Sequence, residues 1–287
     1  MSSASGVVRR GDHVYVIGDE LLELACFRLS DPGPGTLRKA LAGELSADPG
    51  ERAGQKADLE ALTVLPPVAG APFGTLLGLG SGSGPGRDRA FAWTLTCDGG
   101  LAGEPRPIDL GPVYRLLGEQ IDHLNVEGAC VMGQRLWLLH RGNHSDTPNA
   151  VAELSLADVM ESVHGDQTID VVELAAIRSY DLGELDGIEV TFSDATPLGD
   201  EVLVFTASAE AQDDSDEIRG SVVGTIDVDG HVQRMRTIDR QHKVEGVHAT
   251  LDTGVLDLLF VCDQDDPELV SPLLTATMPL DGSFEAP

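Results

Sequence analysis

Four glutamates recur in one short phrase: Glu60 in Asp58-Leu59-Glu60-Ala61-Leu62-Thr63-Val64, Glu127 in Asn125-Val126-Glu127-Gly128-Ala129-Cys130-Val131, Glu189 in Gly187-Ile188-Glu189-Val190-Thr191-Phe192, and Glu245 in Val244-Glu245-Gly246-Val247-His248-Ala249. Their spacings are 67, 62 and 56 residues. Carboxylates brought together from such a set can hold a hard cation through oxygen ligands. They can also act as a general acid and base, or accept backbone N–H groups and staple neighbouring elements. A cation on Glu127, Asn125 and one or two partner glutamates would polarise an ester, lactone or phosphoester oxygen while a spare carboxylate activates water. Four carboxylates 8 to 10 Å apart repel by roughly 2 kcal/mol per pair at an effective dielectric near 20, so something must offset them. Lys56, Lys243 and Arg141 are candidates, as are a bound Ca²⁺ and a retained proton.

Around these carboxylates lie groups suited to a substrate. The Arg141 guanidinium is a fixed fork for a carboxylate or phosphate, or equally a partner for a nearby glutamate. Among the histidines, His140 is assigned to the catalytic set and His242 to the substrate-binding set, both able to work near neutral pH. Asn143 completes the His140-Arg141-Gly142-Asn143-His144 run. Ser81 and Ser83 sit in the Gly80–Gly84 loop, which either offers N–H groups to an anion or makes a tight turn. That loop lacks the following Lys-Ser/Thr of a P-loop, and no G-x-S-x-G elbow occurs, so serine hydrolase chemistry ranks low.

The elements that must position these groups are strands. Each glutamate phrase leads through a turn into a second apolar run: residues 74–79, 135–139, 201–205 and 255–261. The N-terminus fits the same frame, with Ser5 where the others carry glutamate and His13–Ile17 as the second strand. Outer strands are expected at 90–95 and 107–110, at 151–154 and 171–174, and at 222–226 and 232–235. Helix-like spacing is confined to Tyr114–Ile121 and Leu156–Val163, while 43–57 and 209–219 read as polar loops. Repeats of this length with four strands each describe an all-β chain folded as one β-propeller domain over 1–287, with five blades of four antiparallel strands and six blades as the alternative. The last unit, ending near Leu280, lacks an outermost strand, which leaves closure to the chain ends. Side chains alternate along a strand, so Asp58 with Glu60, Asn125 with Glu127 and Lys243 with Glu245 should face one mouth of the channel. Asp19, Glu20 and Ser208 should reach the same mouth from the returning loops.

Composition narrows the partners. Nineteen basic residues against 48 acidic give a net charge of −29, with hydrophobic residues at 41%. The sparse, scattered cations offer no footprint for nucleic acid. No apolar run is long enough to span a bilayer, and MSSASGVVRRGD has no secretory h-region, so a cytoplasmic protein acting on a small molecule is expected. Cys26, Cys97, Cys130 and Cys262 lie far apart without metal spacing and read as small hydrophobes.

The phrases KADLEALT (56–63), GSGSG (80–84), LNVEGA (124–129) followed by LHRGN (139–143), and KVEG (243–246) resemble an uncharacterised family of bacterial propeller proteins. That family is related to the phytase-like esterase propellers and more distantly to calcium-dependent lactonase propellers. The resemblance implies a propeller with a divalent metal, calcium by preference, held at the channel mouth. Carried over residue by residue, the ligand positions are Glu60, Asn125, Glu127, Glu189 and Glu245, with Ser5 breaking the symmetry. The leading expectation is a metal-assisted hydrolase of esters, lactones or phosphoesters. A non-catalytic binding propeller is the alternative. A glycosidase using a carboxylate pair ranks lower, since Trp93 and Trp137 fall at core or outer positions and leave few aromatics to stack a sugar.

Overall fold

Five β-sheets radiate from a common axis in the computed structural model, which describes residues 1–279 except 143, 145–146, 171, 212–217 and 264–267. Asn143 and the acidic runs at 212–217 and 264–267 therefore lie outside the described residues. The first blade contains β1 (Ala4–Arg10), β2 (His13–Gly18), β3 (Glu23–Arg28) and β4 (Asp31–Lys39). After α1 (Pro49–Ala53), the second holds β5 (Leu59–Leu65), β6 (Thr75–Gly80), β7 (Arg89–Thr94) and β8 (Arg106–Asp109). Beyond α2 (Gly111–Gly118), the third holds β9 (Val126–Met132), β10 (Arg135–His140), β11 (Asn149–Ser155) and β12 (Leu174–Tyr180), with α3 (Leu156–His164) inserted between its last two strands. The fourth adds a two-residue strand β13 (Glu184–Leu185) to β14 (Ile188–Pro197), β15 (Val202–Glu210), β16 (Ile218–Asp227) and β17 (Val232–Asp239). The fifth has three strands, β18 (Lys243–Asp252), β19 (Val255–Asp263) and β20 (Leu273–Pro279).

The inner strands β1, β5, β9, β14 and β18 contact one another in that order, and β18 returns to β1. This is a five-bladed all-β propeller, and the six-bladed alternative does not arise. The hydrophobic alternation of the sequence is spent between blades: five apolar clusters fill the five wedges, each drawing on two successive blades. Trp93 packs between the first two blades and Trp137 between the third and fourth, as core residues. Closure falls on the N-terminus, where Ser3 pairs with Asp263, Ala4 N–H donates to Ser271 Oγ (3.1 Å) and Ser271 N–H donates to Met1 O (3.0 Å). These contacts tie blade one to blade five without supplying its missing strand.

The outer strands were the least legible. β12 begins at Leu174, where the 171–174 expectation ends, and β3 and β4 had no clear signal. β4 carries Pro32 and Pro34, tolerated because an outermost strand has one edge unpaired. Within 43–57 and 209–219, both read as polar loops, α1 and the end of β15 are ordered elements.

One irregularity recurs in all five inner strands. Register slips by one residue at Ser5, Glu60, Glu127, Ser193 and Glu245, each left opposite no partner. Such a bulge re-aims the extra side chain, here toward the axis. The next residue is small in four blades, Gly6, Ala61, Gly128 and Gly246, because the strands nearly touch there. A Cβ on Gly128 would lie 2.9 Å from Ala195 N, and one on Gly246 would lie 3.0 Å from Gly6 Cα. The fourth blade places Asp194 at this position, fully buried, with its carboxylate accepting from Ala195 N–H (2.7 Å) and Val247 N–H (2.9 Å).

The bulge corrects the sequence alignment of the fourth unit. Ser193, not Glu189, is the counterpart of Glu60, Glu127 and Glu245. Glu189 lies four residues earlier, exposed, opposite Glu184 in the β13–β14 hairpin. β14 extends beyond the other inner strands at its start, which moves the matching phrase off the common level.

Candidate functional site

Seven carboxylates gather where the inner strands begin: Asp19, Glu20, Asp58, Glu60, Glu127, Glu210 and Glu245. Five cations, Arg52, Lys56, Arg87, Arg141 and Lys243, lie among them, two fewer than the carboxyl groups named. Where the cations stand decides which carboxylates are neutralised.

Asp58 is the most fully supplied. It occupies a left-handed backbone position (φ 55°) and is 4% exposed. Lys56 Nζ lies 2.8 Å from its Oδ1, while Arg87 Nη1 (2.9 Å), Ser81 Oγ (2.5 Å) and Ser83 Oγ (3.1 Å) surround Oδ2. Burial alone would raise its pKa, but Lys56, Ser81 and Arg87 hold it below the usual carboxylate range. The serines of the glycine-rich loop thus hydrogen-bond Asp58. Arg87, just beyond that loop, was not anticipated. Lys56 also binds Asp19 (2.6 Å) and Glu20 (3.3 Å), and Arg52 caps Glu20 at 2.9 Å.

Across the mouth, Asn125 Nδ2 donates to Glu127 Oε1 (2.7 Å) and Lys243 Nζ lies 3.0 Å from Glu245 Oε1, so the expected pairing along strands β9 and β18 holds. Glu210, at the end of β15, draws both Arg141 and Lys243 (3.2 Å to the latter) and is held below the usual carboxylate range by them against the effect of burial. Sequence reading placed Glu210 in a solvated loop. β15 runs five residues past the apolar run expected at 201–205, which brings Glu210 to the mouth. Arg141 also lies 3.7 Å from Glu127 and donates to Thr191 Oγ1 (3.2 Å). Of its two expected roles, the structure shows the internal ion pair.

Glu60 and Glu127 are the perturbed acids. Burial pushes Glu127 up to about 8, against Arg141 and with help from Glu245. Glu60 is raised well above its ordinary value by burial and then by Glu127, Asp19, Asp58 and Glu245, all of them carboxylates. No hydrogen bond or ion pair to a cation neutralises Glu60 among the described residues. Asp19, Asp58 and Glu60 each present an oxygen within 4.8 Å of the others. Two buried oxygens here have no hydrogen-bond partner, Asp19 Oδ1 and Glu245 Oε2. A hard cation fits that donor set: all its oxygens are carboxylate, one acid lacks a counter-charge, and free lone pairs remain. A second triad, Asp227, Asp229 and His231, sits in the exposed β16–β17 turn, where Asp227 is already engaged by His231 N–H and Gln233.

The remaining assignments divide. His140 is buried between β9 and β10, with Nδ1 3.0 Å from Asn125 N, and burial pushes its pKa down to about 4. It is uncharged at neutral pH, with Nδ1 engaged in the strand pair and its buried Nε2 without a hydrogen-bond partner. His242 Nδ1 lies 3.1 Å from Asp239 Oδ2, paired within its own turn. Glu189, assigned both to catalysis and to the metal, stands outside the mouth because of the register offset in β14. Glu60, Glu127, Glu245, Asn125, Lys56, Lys243 and Arg141 do converge.

No helix among the described residues is long and apolar enough to cross a membrane. No curated protein matches the chain. Among solved structures, an α-L-arabinofuranosidase from Podospora anserina in complex with cellotriose has 11% identity and a TM-score of 0.54, covering 98% of this chain and 92% of its own. A luciferin-regenerating enzyme has 11% identity and a TM-score of 0.44 over the same shares. A glycoside hydrolase described as putative, from Parabacteroides distasonis, has 9% identity and a TM-score of 0.47, over 96% of this chain and 86% of its own. At such identities the arabinofuranosidase likeness shows the fold alone, and these comparisons carry no specific link to esterase or lactonase propellers. The family model that matches residues 1–278 is that of a family of unknown function, DUF6929, and the chain belongs to it.

Proposed function

We propose that the acidic mouth binds a divalent cation, calcium by the hardness of its donors, and hydrolyses a small ester, lactone or phosphoester. The observation that carries this reading is Glu60, a half-buried acid whose charged neighbours are Glu127, Asp19, Asp58 and Glu245 and which has no cation of its own. Asp19, Asp58 and Glu60 would hold the ion, with Glu245 Oε2 in reserve. When bound, the cation supplies Lewis-acid polarisation of the substrate oxygen. Glu127, pushed up to about 8, keeps its proton at neutral pH and can pass it to a leaving oxygen. Asn125 orients that carboxyl through the 2.7 Å hydrogen bond to Oε1, and Arg141, itself held by Glu210, lies 3.7 Å from the same oxygen.

The test is metal analysis of protein purified without chelator, then thermal unfolding with Ca²⁺ and with EDTA, for the wild type and Glu60→Gln. Stoichiometric metal and a calcium-dependent rise in Tm that Glu60→Gln loses would support the site and direct a screen of p-nitrophenyl esters, lactones and phosphoesters. Absence of both metal and shift would overturn it in favour of a non-catalytic binding propeller.

A second reading is favoured by one contrast. Glu127 is pushed up while Glu210, joined to it through Arg141, is held down, and such divergent carboxyls are the acid and base of a glycosidase. Hydrolysis of aryl glycosides that persists in EDTA would select this reading over the first.

A further inference from the structure

At the other end of the channel, roughly 16 Å along the strands from Glu60 at 3.3 Å per residue, lies a cavity of about 720 Å³ to which all five inner strands contribute. That volume falls in the range of small-molecule sites. Its charges differ from those of the carboxylate mouth: two arginines, Arg9 and Arg10, stand in a lining that also carries Asp252 and Asp257. Arg9 and Arg10 line it, and among the described residues neither forms an ion pair, although Arg28, Lys39, Arg52, Lys56, Arg87, Arg141 and Arg178 all do. Arg9 uses only Nε internally, donating to Gly11 O at 3.1 Å, which fixes the guanidinium and leaves its two terminal nitrogens for another acceptor.

The third feature is His248 on β18, whose Nδ1 is buried at the cavity without a hydrogen-bond partner. Burial, then Arg9 and Arg10, push its pKa down to about 4, so the neutral ring stands beside two positive charges. Asp252 and Asp257 face the same cavity from the β18–β19 hairpin without pairing with either arginine. The opposite wall is apolar, formed by Pro66, Pro67 and Phe73, the last 44% exposed.

We propose that this second mouth binds a small organic anion, a carboxylate or phosphate monoester bearing an apolar chain, with its charged head between Arg9, Arg10 and His248 and its chain against Pro66, Pro67 and Phe73. The guanidinium forks suit the head group bidentately. A neutral His248 ring with its proton on Nδ1 can donate to the bound head group. The site is separate from the carboxylate mouth and does not depend on the hydrolase reading.

The experiment is calorimetric titration of the full chain with hexanoate and hexyl phosphate, set against hexanol and hexylammonium. At least one of the two anions should bind saturably, and Arg9→Gln/Arg10→Gln should weaken it at least about tenfold, while Glu127→Gln leaves it unchanged. As a readout that needs no variant, the His248 ring nitrogen shifts should move when that anion is added, as Nδ1 gains a hydrogen-bond partner. Equal binding of hexanol, or anion binding that survives the double arginine variant with unmoved His248 shifts, would overturn the proposal.

Discussion

Asp194 on β14 accepts a hydrogen bond from the Val247 backbone N–H on β18 at 2.9 Å, joining the inner strands of the fourth and fifth blades at the level where the other blades carry glycine or alanine. The carboxyl is completely buried and raised well above its ordinary pKa by burial, despite the N–H donors of Val247 and Ala195. It thus acts as a structural staple. Asp194→Ala leaves two buried N–H groups unsatisfied and should lower stability by about 1 to 3 kcal/mol. Asp194→Asn keeps one acceptor and should lose less. Urea unfolding of the two variants checks the order.

Glu60 should reveal its crowding through pH. A carboxyl whose folded pKa is raised contributes stability that is complete below its unfolded pKa and is lost as pH rises through the folded value. In EDTA, Glu60→Gln should therefore unfold at a higher temperature than the wild type at pH 8, by at least about 2 °C, the shift expected for about 1 kcal/mol in a chain of this size. The advantage should shrink at pH 4. Melting curves at the two pH values measure it.

Lys56 holds Asp58, Asp19 and Glu20 together while itself largely buried. Lys56→Met leaves Arg87 as the one cation on Asp58 among the described residues and should destabilise the fold by about 3 kcal/mol at pH 7. Since the substitution exposes more carboxylate oxygen to a cation, millimolar Ca²⁺ should recover part of that loss. Chemical denaturation with and without Ca²⁺ gives both quantities.

His140 contributes in the opposite direction to Glu60. Its folded pKa, about 4, lies below the unfolded value near 6.5, so its stabilisation is full above pH 6.5 and disappears as pH falls toward 4. The amount at stake is on the order of 3 kcal/mol. Ring-proton chemical shifts should show no titration of His140 between pH 8 and 5.5.

Glu189 supplies the contrast for the glutamate set. Exposed on β14, it should tolerate Gln within about 0.5 kcal/mol, and calcium-dependent stabilisation should be unaltered. Under the same assay Glu60→Gln should abolish that stabilisation.

The amino-acid sequence by itself determined the blade plan. Period-two hydrophobicity and repeated turn signals are local properties, and they specify inner hairpins such as β9–β10 and the pairing of Asn125 with Glu127 and Lys243 with Glu245. Outer strands such as β4 were poorly marked because a solvent-facing edge needs neither continuous apolar character nor freedom from proline. Tertiary structure alone decided which carboxylates meet. The bulge that aims Glu60, Glu127 and Glu245 inward also selects Ser193 over Glu189, and a one-residue slip has no signature in hydrophobic pattern. Arg87 and Glu210, remote in sequence from the residues they neutralise, entered the mouth only when strands from different blades were set side by side. Charge balance there is a sum over the whole ring, and that sum exists only once the ring has closed.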